Sequence, residues 1–291
     1  MPEWLKISLI ALAALVLIMF CIYLFLIRTR RQGKTISAYR GVNFAHRGLH
    51  GDGRAENSLS AFIAARDAGF GIELDVRLSS DGEMVVFHDD TLTRVAGIDK
   101  RVDELTLAEL RSCRLLDTED TLPTLREVLD VIDGRVPLLI EIKEDAGKSA
   151  VTQTLVKELE GYSGPYIVES FNPLSLKLFR RLRPDVPLGI LSQHFCRRDE
   201  YRGKALYFIL QNMLLNFLSV PNFVAYDHTD SNMLSLKLAR RLFGTLTVAW
   251  TVRSEEEGRA AKTHKFDSII FENYLPDEGR AENRELPKYV N

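Results

Sequence analysis

From Val42 onward, short runs of β-branched and aliphatic residues alternate with helix-length segments, and this alternation constrains the fold more than any other feature of the sequence. The runs fall at 42–46, 71–76, 137–143, 166–171, 187–192, 222–227, 246–252 and 268–273. Strands separated by helical crossovers make a parallel sheet, and eight of them predict an α/β chain folded as a (β/α)8 TIM barrel. A ninth run, MVVFHD at 84–89, is joined to the second strand only through the short stretch Ser79 to Glu83. A parallel crossover needs about a dozen residues, whereas Asp81-Gly82 suits an antiparallel turn, so this run reads as a β-hairpin insertion after the second strand. Helix punctuation agrees: Thr106 with Glu109 and Thr124 with Glu127 form capping boxes, Asn172-Pro173 opens a helix, and Gly69 closes the one beginning near Ser58.

The first 28 residues have a different character. Ile7 to Ile27 is apolar except for Ser8 and Tyr23, and twenty-one residues at helical rise cover about 30 Å, the thickness of a bilayer core. With no small-x-small cleavage site after the run, a retained transmembrane anchor is expected over a signal peptide. Arg28, Arg30, Arg31, Lys34 and Arg40 outweigh the lone Lys6, so the positive-inside rule places the following domain in the cytoplasm of a single-pass cell-membrane protein. Cys21, Cys113 and Cys196 form no CxxC pair, which argues against a disulfide framework or a structural zinc. The expected organisation is an anchor at 1–28, a solvated basic juxtamembrane linker at 29–40, the barrel at 41–276 and a charged surface tail at 277–291. With 38 Lys+Arg against 40 Asp+Glu, no basic excess marks nucleic acid as a partner.

Strand periodicity shows where the chemistry lies. In GIELDV, Glu73 and Asp75 share the face opposite Ile72, Leu74 and Val76; in LLIEIK, Glu141 and Lys143 oppose Ile140 and Ile142. With the aliphatic face on the helices, the carboxylates project into the barrel mouth, where barrel enzymes place their sites. Three converging carboxylates repel one another, and one hard divalent cation relieves that; Mg²⁺ or Ca²⁺ suits oxygen ligands better than zinc, and Mn²⁺ is compatible with the same set. Ion pairing within a polar barrel end is the competing account. Arg47 and Lys143 beside the cluster suggest an anionic substrate such as a phosphate ester. His46 and His88, both at strand ends, can divide proton removal and proton delivery across a phosphoester.

These residues, in order, resemble the glycerophosphodiester phosphodiesterase family: AHRG (45–48), ENS (56–58), IELDVRLSSDG (72–82) and VVFHDDTLTR (85–94), then LPTLREVL, EIK, ESF (169–171) and AWTVR (249–253). The resemblance spans about 42–275. It implies a metal-dependent hydrolase releasing glycerol 3-phosphate and an alcohol, with His46 and His88 as the acid/base pair and Glu73, Asp75 and Glu141 as metal ligands. Arg47 and Lys143 would hold the phosphate, and Glu56 and Trp250 would line the glycerol side. In the mechanism proposed for the family, the substrate's own glycerol hydroxyl attacks phosphorus and water opens the cyclic product. Ala55 stands where the family usually has Pro, and the last strand reads IIFEN where Thr-Asp is common, so Glu272 and Asn273 receive no role. His50, His194, His228 and His264 match no family site and are read as surface or structural.

The segment 205–220 is strongly apolar, with Asn212, Asn216 and Ser219 at i, i+4 and i+7. It is read as one helix, either packed on the barrel or lying in the membrane interface beside the site; the second reading makes a lysophospholipid the substrate in place of a soluble small-molecule diester. Two rivals accompany the hydrolase: a phospholipase-type barrel phosphodiesterase, disfavoured by the Glu73, Asp75, Glu141 and Lys143 set, and an inactive lipid-binding scaffold, which would carry a broken site.

Overall fold

A computed structural model describes residues 1–30, 33–145, 147–281 and 284–288. Strands β1 (Phe44–Ala45), β2 (Gly71–Leu78), β3 (Met84–Val86), β4 (Leu138–Ile142), β5 (Tyr166–Ser170), β6 (Leu188–Ser192), β7 (Phe223–Asp227), β8 (Leu246–Val252) and β9 (Ser268–Phe271) form one sheet. All neighbours are parallel except β2 and β3, and β1 pairs with both β2 and β9, closing an eight-stranded barrel. The ninth run is therefore the antiparallel arm that the short Asp-Gly connection demanded.

Before the barrel come α1 (Glu3–Ile27) and α2 (Lys34–Ser37); the barrel helices are α3 (Leu59–Asp67), α4 (Leu125–Ile132), α5 (Ala150–Glu158), α6 (Pro173–Leu182), α7 (Ala205–Gln211), α8 (Leu234–Leu238) and α9 (Glu255–Thr263). Their starts follow local chemistry: Ser58 and Thr124 accept from backbone amides of the first turns of α3 and α4, and Asn172 does so for α6 with Pro173 at its first position. The outward residues Ile72, Leu74, Leu138, Ile140, Val168 and Leu188 pack against Phe62, Leu129, Leu155 and Phe179 of the helix ring.

The inward faces are graded along the barrel axis. At the base they are apolar: Phe44, Leu139, Ile167, Phe223, Leu246 and Ile270 join one buried cluster. Two residues further along, four of these faces carry His46, Glu141, Glu169 and Glu272, whereas those of β7 and β8 carry Ala225 and Val248 of the same apolar cluster. This gradient puts polar groups only at the mouth, where solvent and a ligand can reach them.

Both flanking segments depart from expectation. The stretch 29–40, read as a solvated linker, packs against the base: Thr29 Oγ1 lies 2.5 Å from Thr245 Oγ1, Arg30 donates its N–H to Pro221 O, and Ile36 and Tyr39 are buried in the base cluster. A barrel base lined by apolar side chains must be covered, and α2 covers it. Arg31, counted in the charge balance, lies outside the described residues. The tail, read as a charged surface segment, also straps the base: Ala281 is buried and donates its N–H to Gly69 O, Asn43 Nδ2 donates to Glu278 O, and Arg284 donates to the carbonyls of Arg40 and Gly41. Residues 282, 283 and 289–291 of that tail lie outside the described set.

The segment 205–220 is not one helix. α7 ends at Gln211, Met213 takes a left-handed conformation (φ 55°), and a single 3-10 turn spans Asn216–Leu218. Asn216 and Ser219 are buried, and Asn216 Nδ2 donates to Ile27 O at 3.4 Å, so two of the three stripe residues face inward. The break lets the chain descend to the base, where β7 begins. Helix α1 is long and apolar enough to cross a membrane, by length and composition.

Candidate active site

The loop after β1 carries His46 and Arg47 into the mouth. Arg47 holds a left-handed backbone (φ 54°), with its N–H on Glu73 Oε2 at 2.9 Å, its Nη1 on Glu56 Oε1 at 2.6 Å and its Nε 3.4 Å from Asp75 Oδ2. Asn57 Nδ2 donates to Asp75 Oδ2 at 2.8 Å. From β4 and the residue following it, Glu141 and Lys143 meet at 2.7 Å, and Lys143 Nζ is 3.2 Å from Asp75 Oδ1. One arginine and one lysine thus thread between carboxylates that would otherwise face each other bare.

Glu73, Asp75 and Glu141 are all buried, and one carboxylate oxygen from each lies within 4.8 Å of the others. Burial, then the charges of Asp75 and Glu141, push Glu73 well above the usual carboxylate range. Burial raises Glu141 as well, against the pull of Lys143. At Asp75 burial is outweighed by Lys143, His88 and Arg47, which hold it far below its ordinary value. Asp75 Oδ1 makes no hydrogen bond, and its neighbour there is the Lys143 ammonium at 3.2 Å. Three buried carboxylates offering only oxygen donors, two of them under the negative charge of their neighbours, fit a hard divalent cation.

The two histidines are held in the same way from opposite sides. His46 Nδ1 lies 2.5 Å from Glu272 Oε2, whose other oxygen takes Arg253 Nε at 2.5 Å. His88 Nδ1 lies 2.6 Å from Asp89 Oδ1, whose other oxygen takes Arg94 Nε at 2.7 Å. Each ring is thereby fixed at Nδ1 by an arginine-anchored carboxylate, leaving Nε2 for proton transfer. Burial lowers the His46 imidazole, with Glu272 opposing the shift.

The sequence-derived set is brought together: His46, His88, Arg47, Lys143, Glu73, Asp75, Glu141 and Trp250 ring the mouth. Glu56 is engaged by Arg47 and by both terminal nitrogens of Arg94, so each of its oxygens accepts from a guanidinium. Trp250 stands edge-on to Phe171, ring centroids 5.6 Å apart.

Four residues near the chemistry were not assigned roles from sequence: Glu272, Arg253, Arg94 and Glu169. Glu169 is buried beside Glu141 with Oε2 unpartnered, and burial followed by the Glu141 charge pushes it well up. For Glu169 and Glu272 a signal existed, since each follows an inward apolar residue, Ile167 or Ile270, by two positions. Arg94 and Arg253 had none: Arg94 has one near partner, Asp89, but Glu56 and Glu272 lie 38 and 19 residues from the arginines they bind. His50, read as structural, has Nε2 3.7 Å from Glu272 Oε2. His46, His50 and Glu272 also have the donor types of a metal site, with the two Glu272 oxygens engaged by His46 Nδ1 and by Arg253.

Comparison with known proteins addresses the same residues. The family model described as "Glycerophosphoryl diester phosphodiesterase family" matches residues 46–274. This chain belongs to that family. It is 28% identical over 253 residues to YhdW of Bacillus subtilis (strain 168), covering 82% of this chain and 98% of that one; that protein is named for the same activity. Human glycerophosphodiester phosphodiesterase 1 is 27% identical over 265 residues, covering 80% of this chain and 78% of its own. Among solved structures, the glycerophosphodiester phosphodiesterase of Thermotoga maritima superposes with a TM-score of 0.59 at 27% identity, over 79% of this chain and 94% of that one. An Oleispira antarctica phosphodiesterase, solved with the product sn-glycerol-3-phosphate, shares the fold with a TM-score of 0.65 at 24% identity, over 81% and 94%. The chain is a phosphoric diester hydrolase of the glycerophosphodiester type, from a family that depends on divalent metal.

Proposed function

We propose that this protein is a membrane-anchored phosphodiesterase that releases glycerol 3-phosphate from a glycerophosphodiester, with single-chain lysophospholipids among its substrates. The observation that carries the catalytic part is the pair of oriented histidines facing a buried carboxylate cluster with two cations. Glu73, Asp75 and Glu141 would hold the divalent ion, which when bound neutralises phosphoryl charge and acidifies the attacking hydroxyl. Arg47 and Lys143 bind the phosphate oxygens. His46, kept neutral near pH 7 by its burial, accepts the proton of the attacking glycerol hydroxyl at Nε2. His88, aligned by Asp89, delivers a proton to the departing alkoxide, and the two reverse roles when water opens the cyclic phosphate.

Retention of α1 is supported by its last turn: Ile27 is fully buried and Phe25 packs on Phe217 with centroids 5.8 Å apart. Cleavage there would expose a finished seam. The basic residues after α1 favour a cytoplasmic barrel. The lysophospholipid reading rests on exposed apolar residues at the mouth, Leu206 and Phe208 among them.

The test is release of glycerol 3-phosphate by the full-length chain from glycerophosphocholine and from lysophosphatidylcholine, with EDTA or added Mg²⁺, Ca²⁺ or Mn²⁺, alongside His46→Ala. Metal-dependent release from both, lost in the variant, is expected. Release unaffected by EDTA or by His46→Ala would overturn the catalytic assignment, and release from the soluble diester alone would overturn the lipid assignment.

A further inference from the structure

If α1 is the anchor proposed above, its course along the barrel sets where a bilayer would lie. Thr29 meets Thr245 just before β8, and Arg30 meets Pro221 just before β7; both contacts are at the base. Moving back along the chain, Ile27 O takes the bond from Asn216, Phe25 packs on Phe217, and Tyr23 comes beside Ser235, whose hydroxyl makes no hydrogen bond. Ser235 is the second residue of α8, which starts shortly after β7 ends, at the level of the mouth. The chain therefore climbs the outside of the barrel from base to mouth and leaves it there: residues 1–22 are exposed apart from half-buried Leu5. Glu3 to Ile22 is twenty residues, about 30 Å of helix, enough to cross a hydrocarbon core that begins level with the mouth.

The rim of the mouth is apolar in the sector that α1 passes. Leu174 follows β5, Leu206 and Phe208 follow β6, and Leu234 follows β7; they are 48%, 55%, 55% and 60% exposed. These strands are consecutive neighbours in the barrel. Large apolar side chains clustered on one face of a water-soluble domain mark a contact surface. Lys204, lying over the Tyr207 ring, adds a cation where headgroups would be. From Tyr207 an aromatic track runs inward through Phe195 and Phe171 to Trp250, with successive centroids 5.6, 6.0 and 5.6 Å apart.

Resting on the anchored-hydrolase reading above, we infer that the catalytic mouth lies face down on the bilayer: Leu174, Leu206, Phe208 and Leu234 sit in the interface, and one hydrocarbon chain drawn from it lies against the aromatic track. The partner is the lipid surface itself, chosen because α1 leads into a bilayer on that side and no other.

The experiment uses the full-length chain with Cys21 and Cys196 replaced by Ser, reconstituted in vesicles of phosphatidylcholine and phosphatidylglycerol. Nitroxide labels are placed singly on cysteines introduced at Leu206, Phe208 and Leu234 near the rim, and at Glu160 and Lys265 near the base. Rim labels should collide preferentially with oxygen and base labels with a water-soluble nickel chelate. Rim labels as open to nickel as base labels would overturn the inference, as would rim broadening abolished by dilution with unlabelled protein, which would assign the rim to a second copy. Phe195→Ala should lower release from lysophosphatidylcholine about fivefold more than from glycerophosphocholine; equal loss would remove the track. Glycerol 3-phosphate release by the same vesicles separates the two readings: active protein with water-exposed rim labels sinks the docking alone, and inactive protein with lipid-immersed labels sinks the catalytic assignment alone.

Discussion

A carboxylate bonded to one imidazole nitrogen decides which of the two remains free, so Glu272 and Asp89 set the direction in which His46 and His88 can exchange protons. At His46 burial disfavours the imidazolium and Glu272 partly restores it. Replacing Glu272 with Gln removes the restoring charge, so the His46 pKa falls further; the acidic limb of the kcat/KM profile should move to lower pH while kcat drops about tenfold or more. A profile that keeps its position would show that Glu272 is structural only. The carboxylate cluster makes a second prediction at this scale. Relief of repulsion among Glu73, Asp75 and Glu141 by a bound ion should raise Tm by about 5 °C at saturating metal, and Asp75→Asn should lose the rise; a differential scanning melt with and without Ca²⁺ or Mg²⁺ checks it. Glu73, Asp75 and Glu141 were legible because they alternate with aliphatic residues in long strands. The anchoring of His46 was not, because Glu272 and Arg253 come from the far end of the chain and only closure of the barrel brings them to it.

At the scale of elements, the strands and both capping boxes were readable because each is set by near neighbours in sequence. Thr124 accepts from Glu127 N–H while Glu127 reaches back to Thr124, as the spacing required; Thr124→Ala should cost about 1 kcal/mol in denaturant unfolding. The two flanking segments were not readable, since Ile36, Tyr39 and Leu286 are isolated apolar residues in polar surroundings and only the open barrel base explains their burial. The break in 205–220 was equally hidden, because a helical period says nothing of how far the chain must descend before β7. One contact inside the barrel gives a sharper test. A Cβ on Gly189 of β6 would fall 2.1 Å from the Phe223 ring of β7, so Gly189→Ala should cost about 2–3 kcal/mol by overpacking, and Phe223→Leu in the same chain should restore part of it. Additive losses in the double variant would show that the two do not share the space.

Taken whole, the molecule is a barrel closed below by its own flanks and open above. Tyr39 belongs to the base cluster, far from the carboxylates, so Tyr39→Ala should destabilise the fold by about 3 kcal/mol while leaving KM for a soluble diester unchanged; a large KM change would mean that the base and the mouth are coupled. The barrel itself follows from eight strand periods, whereas the way α1 lies along it depends on side-chain contacts that no local pattern announces. The bond between His46 and Glu272 joins the residue after the first strand to the residue after the last. During synthesis every other strand of the barrel is made before β9 and Glu272. A nascent or truncated chain that stops short of residue 272 has Glu73, Asp75, Glu141 and Arg47 but no carboxylate for His46 Nδ1, so the site is completed only by the residue that follows the last strand.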